Sequence, residues 1–211
     1  MQTDQLISQL QAEAAENPRL AVLGWPLAAL GGIVATALAM VATIGVRPDF
    51  FSALETVRFN FKFLLTAIFA GTALLALKEL ARPTGDKRKL AFLSVPLLML
   101  CASVIAELAT IPQGLWESRM VGTNFASCLT TIPLFGIVPL GLFLYASSKR
   151  APLRPTLQGA LCGLAAAAIG AFFYAAHCTD DSPLFVATWY PIASAILVAT
   201  GALIGRRLLR W

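Results

Sequence analysis

Charge is scarce in this 211-residue chain: Asp, Glu, Lys and Arg make up 13% of it, and there is one histidine, His177. With 58% apolar residues and a mean hydropathy of +0.75, a single soluble domain is excluded. One histidine leaves no Ser-His-Asp or Cys-His-Asn set. There is no Cys-x-x-Cys pair among the four cysteines, and the 15 glycines are scattered instead of forming a phosphate loop. An enzyme is not expected. Carboxylates and histidines are also missing from the middles of the apolar runs, where they would mark an ion or proton path; Lys78 and Glu79 close the second run and Glu107 closes the third. An ion-coupled transporter is therefore disfavoured.

What the chain does have is six apolar runs, at about residues 22–44, 61–80, 90–109, 125–145, 156–176 and 186–204. Each matches the roughly 20 residues that cross a bilayer, and none alternates as a barrel strand would. The expected fold is an all-α integral membrane protein, a bundle of six transmembrane helices (residues 21–211) preceded by a polar segment (residues 1–20). In that segment Asp4, Glu13 and Glu16 stand where a signal peptide would be basic, so it is expected to be retained. Thr3 or Asp4 can cap a short amphipathic helix carrying Leu6, Ile7, Leu10 and Ala14 and ending before Asn17-Pro18.

The basic residues follow the runs. Arg82, Lys87, Arg88 and Lys89, then Lys149, Arg150 and Arg154, then Arg206, Arg207 and Arg210 fall on one side; Arg47, Arg58, Lys62 and Arg119 fall on the other. The positive-inside rule puts both termini in the cytoplasm and accounts for the net charge of +5, so no direct nucleic-acid contact is expected. Trp25, Trp116, Trp189, Tyr190 and Trp211 lie near run ends as interfacial anchors do. A faint echo between Cys128–Pro133–Arg150 and Cys178–Pro191–Arg207 has unequal spacings and is put down to chance.

Cys101 and Cys162 fall inside runs and read as small packing hydrophobes. Cys128 and Cys178 fall at the outer ends of the fourth and fifth runs, on one face, which is the periplasm in a Gram-negative host. Three readings stay open for that pair: a stapling disulfide, a thiol pair read by oxidants, or half of a soft-metal site. For a metal such as zinc, His177, Asp180 and Asp181 would complete the shell around Cys128 and Cys178, with Glu107 and Glu117 on the same side.

The opening Thr3-Asp4-Gln5-Leu6-Ile7, the block Gly122-Thr123-Asn124-Phe125-Ala126-Ser127-Cys128-Leu129 leading to Ile132-Pro133-Leu134, and the block His177-Cys178-Thr179-Asp180-Asp181-Ser182-Pro183 leading to Trp189-Tyr190-Pro191 resemble the NrsF-type membrane anti-sigma factors of proteobacteria. The resemblance covers the whole chain. It implies six spans, sensory thiols at Cys128 and Cys178, and a cytoplasmic face that holds an extracytoplasmic-function sigma factor inactive. Oxidation or metal binding would tie the outer ends of two helices together and alter the inner surface, with Pro133 and Pro139 as flexure points. The inner contact is assigned to Leu6, Ile7 and Leu10 as an apolar face, and to Arg82, Lys87 and Arg88 as readers of acidic patches. A headgroup-lying helix and charges that serve topology alone are the competing readings there. A small transporter or channel, or a structural subunit with a stabilising disulfide, are the alternative functions.

Overall fold

The computed structural model describes residues 18–82, 85–150 and 152–210. The expected amphipathic helix with Leu6, Ile7, Leu10 and Ala14 lies outside the described residues, as does Trp211. A backbone in hydrocarbon must satisfy its polar groups internally, and the chain does so with helices: α1 (Pro18–Thr43), α2 (Phe50–Ala53), α3 (Val57–Leu80), α4 (Ser94–Thr110), α5 (Trp116–Val121), α6 (Phe125–Ser148), α7 (Pro155–Ala175) and α8 (Pro183–Leu208). No strand occurs among the described residues. Six of the helical segments are long and apolar enough to cross a bilayer.

Local chemistry sets the helix ends. The Thr56 hydroxyl accepts from the Phe59 N–H at 3.4 Å and starts α3 at Val57, four residues before the apolar run begins. The third span enters through a 3-10 turn, Lys87–Leu93, whose Asp86 carboxylate accepts from the Arg88 N–H at 3.0 Å. Pro155 and Pro183 occupy first-turn positions of α7 and α8, where a missing N–H costs nothing.

The core is α7, where Ala165, Ala166, Ala167 and Ala168 are completely enclosed. It packs on α8 backbone to backbone: a Cβ on Gly159 would overlap the Gly201 carbonyl, and one on Gly201 would overlap the Gly159 carbonyl. Small residues permit this approach, and in a bilayer such packing replaces the hydrophobic drive that water supplies elsewhere. Toward the basic end, Gln158 donates to the Ser147 hydroxyl at 3.3 Å, and that hydroxyl lies 3.2 Å from the Cys162 sulfur.

Pro139 has no N–H for the Phe135 carbonyl one turn earlier, and the Thr36 hydroxyl of α1 donates to that carbonyl instead, at 3.2 Å. The proline expected as a flexure point is thus also a docking point for α1. The helix α4 is peripheral, with only Pro96 and Glu107 buried. Cys101 on α4 is consequently exposed, whereas Cys162 packs inside as expected. Two expected interfacial anchors are also core residues: Trp25 is 7% exposed and stacks on Phe143, and Tyr190 is 6% exposed.

Candidate functional site

The bundle end opposite the basic loops carries both cysteine blocks. Cys128 occupies the first turn of α6, its N–H bonded to the Asn124 carbonyl at 2.8 Å. Cys178 follows α7, its N–H bonded to the Tyr174 carbonyl at 3.0 Å. Both thiols are free, both are fully buried, and both belong to one apolar cluster with Ile132, Tyr174, Phe185 and Tyr190. The structure thus brings together the two cysteines singled out from the sequence.

The loop bearing Cys178 is clamped from two directions. Toward α6, Asp180 acts as a hub: one carboxylate oxygen accepts from the Asn124 N–H at 2.8 Å, the Thr123 N–H at 2.9 Å and the Asn124 side-chain amide at 2.9 Å. The Asn124 amide also donates to the Thr179 hydroxyl at 2.8 Å, and the Tyr174 hydroxyl donates to the Asn124 carbonyl at 3.3 Å. Gly122 makes room for this hub: its φ is +60°, and a Cβ there would press on both Phe185 and the Asp180 carboxylate. The residues joined by Asp180 are those of the two blocks quoted from the sequence.

Toward α1 and α3, Lys62, 1% exposed, donates to the Cys178 carbonyl at 2.8 Å and forms an ion pair with Asp181. Arg47 pairs with Asp181 at 2.8 Å and with Asp49 at 2.7 Å, and reaches the Cys178 carbonyl at 3.3 Å. Its backbone N–H bonds to the Ala176 carbonyl at 3.1 Å. Both cations also lie over the Phe59 ring, 5.3 Å and 5.5 Å from its centroid. The guanidinium holds the Asp49 carboxyl below its ordinary range, and the carboxylates hold Arg47 protonated. Burial pushes the Cys178 thiol up, against the pull of the nearby Lys62 ammonium.

The residues considered for a metal shell are not gathered into one here. Among the described residues no three His, Cys, Asp or Glu side chains converge on a point where an ion could sit. Asp180 is committed to backbone donors, Asp181 to Lys62 and Arg47, and the His177 ring turns to the Gly45 carbonyl at 3.2 Å. Glu107, read as an interfacial acid or ligand, is instead 4% exposed and anchors the start of α8. It accepts from the Ser182 hydroxyl at 2.7 Å and the Leu184 N–H at 3.0 Å, with Arg58 at 3.4 Å. Sequence reasoning counted Arg47 and Lys62 only as outer charges. The signal was present in Asp180-Asp181, two adjacent acids that need partners if their loop is to bury a thiol.

At the other end of the bundle Arg82, Lys87 and Arg88 are exposed, while Lys89 is tied to Glu79 at 3.1 Å. These are the basic residues assigned to partner contact.

Residues 10–211 match the family described as "Negative regulator of sigma F", NrsF. The chain belongs to this family. It is 32% identical over 218 residues to the anti-sigma-F factor NrsF of Caulobacter vibrioides (strain NA1000 / CB15N), with both chains covered in full. It is 30% identical over 219 residues to the probable anti-sigma-F factor NrsF of Azospira oryzae (strain ATCC BAA-33 / DSM 13638 / PS), again over the whole of both chains. No solved structure matches. Family membership agrees with the resemblance drawn from the two cysteine blocks, and it is that of a regulatory protein, not an enzyme.

Proposed function

We propose that this protein is a membrane-embedded anti-sigma factor that sequesters an extracytoplasmic-function sigma factor and releases it when Cys128 and Cys178 are oxidised. The observation that carries the reading is the pair of free, buried thiols in one cluster, one on α6 and one on the loop between α7 and α8. In this reading the basic end lies in the cytoplasm of the bacterial inner membrane with both termini, and the thiol end lies in the periplasm. Oxidation removes two thiol protons and two electrons, which pass to an oxidant such as a peroxide or a disulfide, and leaves one Cys128–Cys178 bond. Of the two stimuli considered, oxidation is preferred to metal binding because the carboxylates and imidazole that a metal would need are engaged elsewhere.

The inner contact is assigned to Arg82, Lys87 and Arg88 together with Leu6, Ile7 and Leu10. A two-state bundle needs only a few kcal/mol of bias to change partner occupancy widely. The test is a sigma-dependent reporter combined with recovery of the tagged protein from its native membrane. Wild type is expected to retain a sigma factor and lose it after a thiol oxidant. Cys128→Ser and Cys178→Ser are expected to retain it under both conditions. A reporter that remains fully inducible by oxidants in both variants refutes the sensing role; recovery of no sigma factor under any condition refutes the anti-sigma role.

A further inference from the structure

Three spans have their ends together at the basic face of the bundle. The membrane-spanning stretch of α1 begins at Gly24, α3 ends at Leu80 and α6 ends at Ser148. Trp25, Leu77, Ala81 and Phe143 belong to one buried cluster, which joins these three ends. Arg82 and Arg150 each stand two residues past the end of a span, Arg82 exposed and Arg150 half-buried. The Arg150 guanidinium lies over the Trp25 ring, 5.9 Å from its centroid. The indole, 7% exposed, is a platform for that guanidinium.

Charge sets this pair apart. Four other cations that pack on the bundle have carboxylates: Arg47 and Lys62 share Asp181, Arg58 reaches Glu107 and Lys89 holds Glu79. Among the described residues Arg82 and Arg150 form no ion pair, and neither side chain donates a hydrogen bond. Glu79 feels the Arg82 charge but is engaged by Lys89 and by the Asp86 N–H, both at 3.1 Å. The two guanidiniums are instead near each other: burial, together with the Arg82 charge, pushes Arg150 below its ordinary value. Two like charges drawn together, one of them partly desolvated, repel unless an anion joins them.

Depth and chemistry name that anion. Headgroup phosphates lie at the level of span ends, and basic pockets between helices take anionic headgroups there. A guanidinium offers a phosphate two parallel N–H groups. A zwitterionic headgroup would bring its own ammonium against both arginines, so charge favours an anionic one. We propose that Arg82 and Arg150 form a binding site for an anionic phospholipid, whose phosphate accepts from both guanidiniums while its chains stay in the surrounding bilayer. One lipid then bridges the inner ends of α3 and α6. Of the residues assigned to partner contact, only Arg82 belongs to this site, and Lys87 and Arg88 remain for the partner. The site stands independently of the anti-sigma reading, because its test needs no sigma factor.

The full chain in dodecylmaltoside, titrated with dioleoyl phosphatidylglycerol and read by native mass spectrometry, tests the site. Wild type is expected to hold one phosphatidylglycerol about tenfold more tightly than dioleoyl phosphatidylcholine. Arg150→Gln and Arg82→Gln are each expected to lower that affinity about tenfold, the loss of one charge-assisted hydrogen bond. Arg150→Lys keeps the charge but gives up the fork and the stacking on Trp25, and is expected to lose most of the preference as well. Arg206→Gln removes an equal charge from the end of α8 and is expected to leave the first lipid in place. Should Arg150→Gln lower the thermal midpoint, Arg82→Gln, on an exposed side chain, carries the test. Equal affinity for the two lipids in wild type overturns the proposal. So does full binding in Arg150→Lys, or a loss in Arg206→Gln as large as in Arg150→Gln, since either result describes diffuse attraction and not a site. Displacement of the lipid by an equal concentration of inorganic phosphate refutes the lipid assignment in favour of a free anion. Lipid binding unchanged in Arg82→Gln and Arg150→Gln, with less sigma factor recovered from the native membrane, refutes it in favour of a protein contact.

Discussion

The ammonium of Lys62, enclosed within α3, donates to the carbonyl oxygen of Cys178 at 2.8 Å and so fixes the backbone of one buried thiol to a different span. The same ammonium is paired with Asp181. Replacing it with an apolar residue of similar length leaves a carboxylate and a carbonyl short of a partner in a site that excludes water. Lys62→Met is expected to destabilise the protein by about 3 kcal/mol, read as a lowered thermal midpoint in detergent. Adding Asp181→Leu is expected to deepen the loss, because the buried Arg47 then also loses a carboxylate partner.

Asp180 accepts backbone and side-chain donors from Thr123 and Asn124, so it closes the lid over both cysteines. Asp180→Ala removes several charge-assisted bonds, each with a net value of about 1.5–3 kcal/mol. The expected result is faster alkylation of both Cys128 and Cys178 by a maleimide, followed by mass shift, with Cys162 unchanged as an internal control. Equal rates in wild type and variant would show that the loop opens by another route.

The Cys178 thiol is pushed up by burial despite Lys62. Its alkylation rate is therefore expected to climb with pH only above the ordinary thiol range of about 8.5. The linkage has a definite sign. The folded protein keeps the proton that the unfolded chain gives up, so this group's stabilisation is complete below the unfolded pKa and is lost as pH rises toward the folded one. Unfolding midpoints measured from pH 7 upward are expected to fall in wild type, and to fall less steeply in Cys178→Ser.

Where α7 meets α8, Gly159 and Gly201 each occupy the space that the other's Cβ would need. Gly201→Ala forces the two backbones apart, at a cost of about 1–3 kcal/mol or more. A lowered unfolding midpoint is expected, together with less protein recovered from the membrane fraction. An unchanged midpoint would mean that the two helices are not packed this closely.

Much of the architecture was legible in the sequence because the bilayer imposes it. An apolar run of the right length has one means of satisfying its backbone, and the runs foresaw the helix limits to within a few residues, α3 missing by four where Thr56 supplies a cap. Cys128 and Cys178 were likewise placed at one end of the bundle by counting spans. The partners of charged groups were not legible, because those choices join residues far apart in the chain: Lys62 to Asp181, Asp180 to Asn124, Glu107 to Ser182. A carboxylate beside a cysteine looks the same in sequence whether it faces a metal, a lysine or a helix N-terminus. His177, Asp180 and Asp181, drawn as a metal shell, have such other partners in the structure. Cys101 misled for a related one, since an apolar run does not reveal which of its faces meets lipid.

The bond from Thr36 to the Phe135 carbonyl makes α1 a latch on a turn of α6 that lacks its own ladder bond. Any change in the bend at Pro139 must either carry α1 along or break that latch. The helix held in this way is the one through which the first 17 residues join the bundle, while its counterpart α6 carries Cys128 at the far end. A disturbance at the thiols would therefore reach the amino-terminal segment as a displacement of its anchor, in one mechanical step and without passing through α3, α4 or the loops between them.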